Sequence, residues 1–208
     1  TPLIRNATVR TATRVFFHPF QAFDDVKHKG LGSLWIAAGL TVLLFASVTL
    51  KSTSSGFLFS QSDAHSYSSL YTLAQTVGLL VLWSLCNWAV CTIFSGKAKL
   101  REVFIVSAYS MMPLILFNFL FVLLSQVLSL NSVSLMHSLY VVVLAFTFFI
   151  FSVGIIKVQE YTFSKFLLTG LATVVLMFLA AFVLFIVVIL VQQFGDFLYS
   201  LFMEVVYR

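Results

Sequence analysis

The sequence predicts an all-α integral membrane protein: a five-helix transmembrane bundle with amphipathic interfacial helices at the N-terminus, before span three and at the C-terminus. Three observations predict it. Hydrophobic residues make up 61% of the 208 residues and charged residues 9%, with a mean hydropathy of +1.05, far outside the composition of soluble domains. Five apolar runs, 31–50, 71–94, 113–130, 138–156 and 166–191, contain no Asp, Glu, Lys or Arg, and about 20 mostly apolar residues suffice to cross a bilayer. The basic residues also sort by side. Arg5, Arg10, Arg14, Lys27 and Lys29 precede the first run, Lys97, Lys99 and Arg101 follow the second, and Lys157 and Lys165 follow the fourth, leaving Lys51 and Arg208 for the other face. By the positive-inside rule the N-terminus is cytoplasmic and, with an odd number of spans, the C-terminus external.

This distribution explains the net charge of +5 without nucleic acid, and the expected small partners are membrane lipids. At this length one bundle fills the chain, with no separate soluble catalytic domain.

The organisation has three parts. Residues 1–30 form a cytoplasmic or interfacial amphipathic segment. Arg10 and Arg14 lie one turn apart beside Val9, Ala12, Val15 and Phe16; His18-Pro19 interrupts the pattern; Phe20, Phe23 and Val26 then recur at helical spacing beside Asp24, Asp25 and Lys27. Arg5, Arg10 and Arg14 are the candidate contacts to anionic headgroups, with a partner-binding surface as the alternative. Residues 31–191 hold the five spans, the first being a retained helix and not a cleaved signal.

The connection 51–69 is serine-rich and expected to be solvated, with Phe57, Leu58 and Phe59 as its apolar exception. The link 131–137 is short and makes spans three and four antiparallel neighbours. Within 95–102, Gly96-Lys97 is not a phosphate loop, because Cys91 stands where its first glycine belongs and Ala98 where Ser or Thr would hold magnesium. Leu100, Val103, Phe104, Ala108 and Met111 keep helical spacing, predicting an interfacial or shallowly inserted helix, then a kink near Met112-Pro113, where proline leaves the Tyr109 carbonyl without its usual donor. Tyr109 and Pro113 are the candidate kink, static or hinged. In residues 192–208, Leu198, Leu201, Phe202, Val205 and Val206 share one face opposite Asp196, Ser200 and Glu204, the pattern of an amphipathic tail on the outer leaflet.

Chemistry has few carriers. No HExxH, GxSxG or intramembrane aspartate pair occurs, and His18, His28, His65 and His137 are scattered; no catalytic, cofactor or metal residue is assigned. Cys86 and Cys91 are five apart, more than a helical turn, and read as buried thiols and not a disulfide. The intramembrane polar groups Gln75, Ser84, Asn87, Asn118 and Gln126 suit either interhelical hydrogen bonds or a lined conduit. Trp35, Trp83 and Trp88 read as interfacial anchors, and the 24 phenylalanines as lipid-facing or packing mass.

Phe17-His18-Pro19-Phe20 with Phe23, Lys27 and Gly32-Ser33, then Ser95-Gly96-Lys97, Ala108-Tyr109 and Met112-Pro113-Leu114, together resemble the Yip1 domain family over roughly residues 15–191. The short N-terminal region resembles bacterial members. The resemblance implies a non-enzymatic accessory protein of a bacterial cytoplasmic membrane that binds another integral membrane complex, an ABC-type exporter being the example it suggests. A small transporter or channel and a membrane-shaping protein are the alternatives, and a homo-oligomer is compatible with either.

Overall fold

The computed structural model describes residue 15 and residues 18–28, 32–54, 68–126 and 133–206. Arg5, Arg10, Arg14, most of the 51–69 connection and residues 127–132 lie outside the described residues, as do the last two residues of the chain.

The described elements are helices: α1 Pro19–His28, α2 Leu34–Ser54, α3 Ser69–Ile93, α4 Leu100–Ser110, α5 Met112–Ser125, α6 Val133–Gln159 and α7 Phe163–Val206. Five stretches are long and apolar enough to cross a membrane, one each in α2, α3, α6 and α7 and one made by α4 and α5 in succession. Alternation of the spans is visible in side-chain contacts. Lys27, Lys97, Glu102 and Glu160 meet at one end, whereas Lys51, Phe121 and Tyr140 meet at the other, with the Lys51 ammonium 3.4 Å from the Tyr140 ring centre.

Helix α1 begins where His18-Pro19 interrupts the pattern. Pro19 takes the first helical position, where its missing N–H is no loss, and the His18 carbonyl accepts from Ala22 N–H at 3.1 Å. Ala22, Phe23 and Val26 form its buried face, while Phe20, Gln21, Asp24 and His28 are exposed. That face packs into the bundle against α6. The close approach needs Gly154, since a Cβ there would sit 3.1 Å from the Phe23 ring and closer still to Val106.

The largest departure from the sequence reading is α4. It is not a shallow interfacial helix: residues Ile105–Ser110 are all buried, and α4 packs against α1, α2, α3 and α6. Span three therefore runs Leu100–Ser125 and is the most buried of the five. Of its buried serines, Ser110 Oγ donates to the Val106 carbonyl at 2.8 Å, whereas Ser107 Oγ is buried without a partner. At the candidate kink, α4 ends at Ser110, Met111 N–H turns back to the Ala108 carbonyl, and Pro113 lies in the first turn of α5.

The tail is also unlike its expectation. It continues the fifth span as one 44-residue helix, about 66 Å long at 1.5 Å per residue. Both its apolar and polar faces are exposed, including Leu198, Leu201 and Phe202. Helix α3 carries a π-helical turn, Ala74–Gly78, which spacing alone did not indicate.

Candidate functional site

The basic end of the bundle is closed by three segments that hold one another: α1, the connection 94–99 and the connection 160–162. Two identical backbone devices prepare it. Helix α3 ends with Ser95 at φ 59° and Gly96 N–H bonded to the Cys91 carbonyl at 2.6 Å; α6 ends with Glu160 at φ 56° and Tyr161 N–H bonded to the Ile156 carbonyl at 3.0 Å. Each is the six-to-one bond of a Schellman turn, with a left-handed residue that is ordinarily glycine.

The Tyr161 hydroxyl joins the two ends by reaching the Cys91 and Phe94 carbonyls at 3.2 and 3.3 Å. Burial, reinforced by Cys91, pushes its phenol above the ordinary range, so it stays a neutral donor. Gln159, 1% exposed, accepts Ala98 N–H at 3.1 Å through Oε1, while its Nε2 is buried without a partner. These side chains leave no room beside Gly96, where a Cβ would meet Gln159 Oε1, lie 2.7 Å from Tyr161 Oη and 2.9 Å from Cys91 Cβ.

Charges finish the closure. Lys27 Nζ lies 3.0 Å from Glu102 Oε2 and donates to the Lys97 carbonyl at 2.7 Å. Glu102 Oε2 also accepts Lys99 N–H at 3.2 Å, the reach-back of an N3 glutamate at a helix start. Lys97 Nζ lies 2.6 Å from Glu160 Oε2, and His28 lies between Asp24 and Glu160. Lys97, with smaller help from Lys27 and His28, holds the Glu160 carboxyl below the usual carboxylate range. A carboxyl so lowered contributes stability above its unfolded pKa and loses it as pH falls through the folded one. The thermal midpoint difference between wild type and Glu160→Gln, present at neutral pH, is therefore expected to shrink and vanish as pH drops below about 4.

One further contact secures the entry to α2. Tyr109, fully buried, accepts Ser33 N–H at 3.3 Å on its hydroxyl. Next to it Gly32 is hemmed in by Val26 and Ile105 at 3.0 and 3.1 Å from a hypothetical Cβ. Thus the phenol of Tyr109 has a structural task separate from the break at Pro113.

The residues that close this end include those of the short motifs His18-Pro19, Lys27, Gly32-Ser33, Ser95-Gly96-Lys97 and Ala108-Tyr109, joined by Glu102, Gln159, Glu160 and Tyr161. The Yip1 domain family model matches residues 13–196. The chain belongs to the Yip1 domain family. No match was found among curated proteins or among solved structures.

In this Yip1 domain the two buried amides bond to different helices. Asn87 Nδ2 donates to Thr173 Oγ1 at 3.3 Å, joining α3 to α7, and Cys91 Sγ lies 3.7 Å from Asn87 Oδ1. Asn118 Nδ2 donates to Ser47 Oγ at 3.2 Å, joining α5 to α2. Ser84 bonds back to the Leu80 carbonyl at 2.8 Å. Gln75 is exposed on the π-helical turn, and Gln126 is exposed at the end of α5. Removing either interhelical amide, as in Asn118→Leu, should lower stability by about 1 kcal/mol, the scale of a bond between spans, measured as resistance to denaturation in lipid nanodiscs.

Cys86 and Cys91 are free and buried. Among the described residues, no three His, Cys, Asp or Glu are grouped to hold a metal. Sequence reasoning did not single out Gln159, Glu160 or Tyr161, and the one available signal was Glu102 three positions after Lys99.

Proposed function

We propose that this Yip1 domain protein is a non-enzymatic accessory subunit that binds a larger membrane complex through its basic end, with an ABC-type export system as the first partner to test. The observation that carries the reading is the convergence of the family motifs on one rigid closure. Buried contacts consume the inner face of α1, while Phe20, Gln21 and Asp24 stand outward on a framed helix. A preorganised surface binds with less ordering entropy than a flexible segment. By the positive-inside rule this end faces the cytoplasm of a bacterial cell.

The conduit reading needs Gln75, Asn87, Asn118 and Gln126 along one passage, whereas Asn87 and Asn118 serve different helix pairs. The membrane-shaping reading draws on Arg5, Arg10 and Arg14, outside the described residues. Mass spectrometry of the protein extracted intact in native-like lipid tests the proposal. Stoichiometric components of another membrane complex support it; recovery of the chain alone or as a homo-oligomer counts against it and favours a liposome flux assay.

A further inference from the structure

Only the first third of α7 packs on the bundle. Thr169 and Thr173 are fully buried, and Thr173 accepts from Asn87 on α3. From Ala181 to Glu204 every residue is exposed apart from Ile189 and Met203. Lipid covers part of that length but not all of it. A hydrocarbon core about 30 Å thick, crossed at a steep tilt of about 40°, takes up roughly 26 residues of helix, the length of the uncharged run 166–191. Beyond Val191 the helix stands outside the core, yet Phe194, Phe197 and Phe202 there are 62%, 59% and 62% exposed. A contiguous apolar surface outside lipid marks an interaction site.

That surface has the period of a helix pair. Leu176, Val183, Leu190 and Phe197 recur every seven residues, each followed four places later by Ala180, Val187, Phe194 or Leu201. Gln192, Gln193, Asp196 and Ser200 all miss these positions, and the repeat ends at Glu204. Two apolar positions per heptad form the seam of a coiled coil. A second observation marks the same side of the helix. A shallow concavity on α7 is lined by α7 residues that include Leu176, Ala180, Val183 and Val187, four successive positions of the repeat. The small side chain of Ala180 leaves room there for a knob from a facing helix.

Carried back toward the basic end, the repeat falls on Thr169 and Thr173, which are buried in the bundle. A straight helix turns such a stripe by about 20° per heptad. Over the three heptads from Thr173 to Phe194 it swings about 60° away from α3, so the open part of the seam faces beside its own bundle and not into it.

The occupant that fits is a second copy of this chain. Two copies inserted in the same sense can pair α7 only in parallel. Each seam residue then meets its own counterpart at equal depth, inside the bilayer and beyond it, while the Asp196 carboxylates lie off the seam. From Leu176 to Leu201 the seam is about 39 Å long; covering about a third of the girth of each helix along it buries roughly 1,000 Å² in total, the size a specific interface needs.

We propose that this chain dimerises in the membrane by parallel, in-register pairing of α7, with the seam running from Leu176 to Leu201. The pairing is independent of the partner-binding reading, because α1 lies at the basic end and the open seam at the other. A crosslinker at Leu198, which flanks the seam, therefore captures a second copy of this chain and not a different protein.

Disulfide trapping of the full chain in its native membrane tests the pairing. Phe194→Cys and Phe197→Cys place a thiol on the seam, and Tyr199→Cys places one on the far side of the helix; Cys86 and Cys91 are buried, so the wild type serves as the blank. Mild oxidation should link both seam variants into dimers at least about tenfold faster than Tyr199→Cys, since a disulfide needs closely facing Cα atoms. Phe194→Ser, at a position exposed in the single chain, should shift the monomer–dimer midpoint on dilution with lipid by at least about tenfold. Equal trapping at all three positions would mean random collision and overturn the proposal. So would a monomer at every dilution, the result of a tail lying flat on the outer leaflet, or seam thiols that crosslink to another protein alone.

Discussion

Phe23→Ala should lower stability by about 3–5 kcal/mol, the loss typical of a buried aromatic truncated in a packed core. At roughly 2 °C or more per kcal/mol for a chain of this size, the thermal midpoint in nanodiscs should fall by about 6 °C or more. The reasons are specific. Phe23 is fully buried, it fills the space that Gly154 leaves open on α6, and it belongs to the same core cluster as Val103, Val106 and Ile155. Removing it detaches α1 from the bundle and so weakens the Lys27 contacts to Glu102 and to the Lys97 carbonyl. Phe20, three residues earlier and 52% exposed, is the control: Phe20→Ala should change stability by no more than about 0.5 kcal/mol. If both variants unfold alike, α1 lies on the membrane surface and not in the bundle.

Gly96→Leu should be comparably disruptive, at about 3 kcal/mol or more, because the side chain must displace Gln159, Tyr161 and the Cys91 side chain together. Gln159 and Tyr161 are held by hydrogen bonds to the facing connection, so neither can move without releasing the other loop. The companion substitution has the opposite sign. Ser95→Gly relieves a left-handed backbone at φ 59° and should stabilise by about 1 kcal/mol. Equilibrium denaturation of the two variants separates crowding at 96 from backbone conformation at 95.

The five spans were legible because a bilayer enforces a simple rule: uncharged apolar runs of sufficient length cross it. Their alternation was legible in the placement of Lys and Arg, and the contact of Lys27 with the Lys97 carbonyl and Glu102 places those segments at one end as expected. The depth of α4 was hidden by its own polar residues. Arg101, Glu102, Ser107 and Ser110 make the segment look interfacial, yet residues 105–110 are buried by protein, and Glu102 and Ser110 find partners within the fold. Hydropathy separates apolar from polar but does not tell lipid contact from protein contact.

The length of α7 was hidden for a different reason. The polar residues Gln192, Gln193 and Asp196 suggest an end to the span, but none of them breaks a helix, no proline follows, and Gly195 is tolerated within it. At the closed end, Gly96 could be cleared of a phosphate-loop role from spacing, whereas its actual task required knowing that Gln159 and Tyr161 lie against it. Those residues are more than sixty positions away in the chain, and no local pattern brings them together. The amides were legible as interhelical candidates, but which helix each one reaches is a tertiary property.

Site-specific photo-crosslinking in the protein's native membrane tests the central claim most directly, with a photoreactive residue placed at Gln21 or Asp24 on the outward face of α1 or at Leu198 on α7. The account predicts a discrete adduct with a second membrane protein from Gln21 and Asp24, absent from Leu198. Capture from Leu198 with none from α1, or lipid adducts alone at every position, would contradict it.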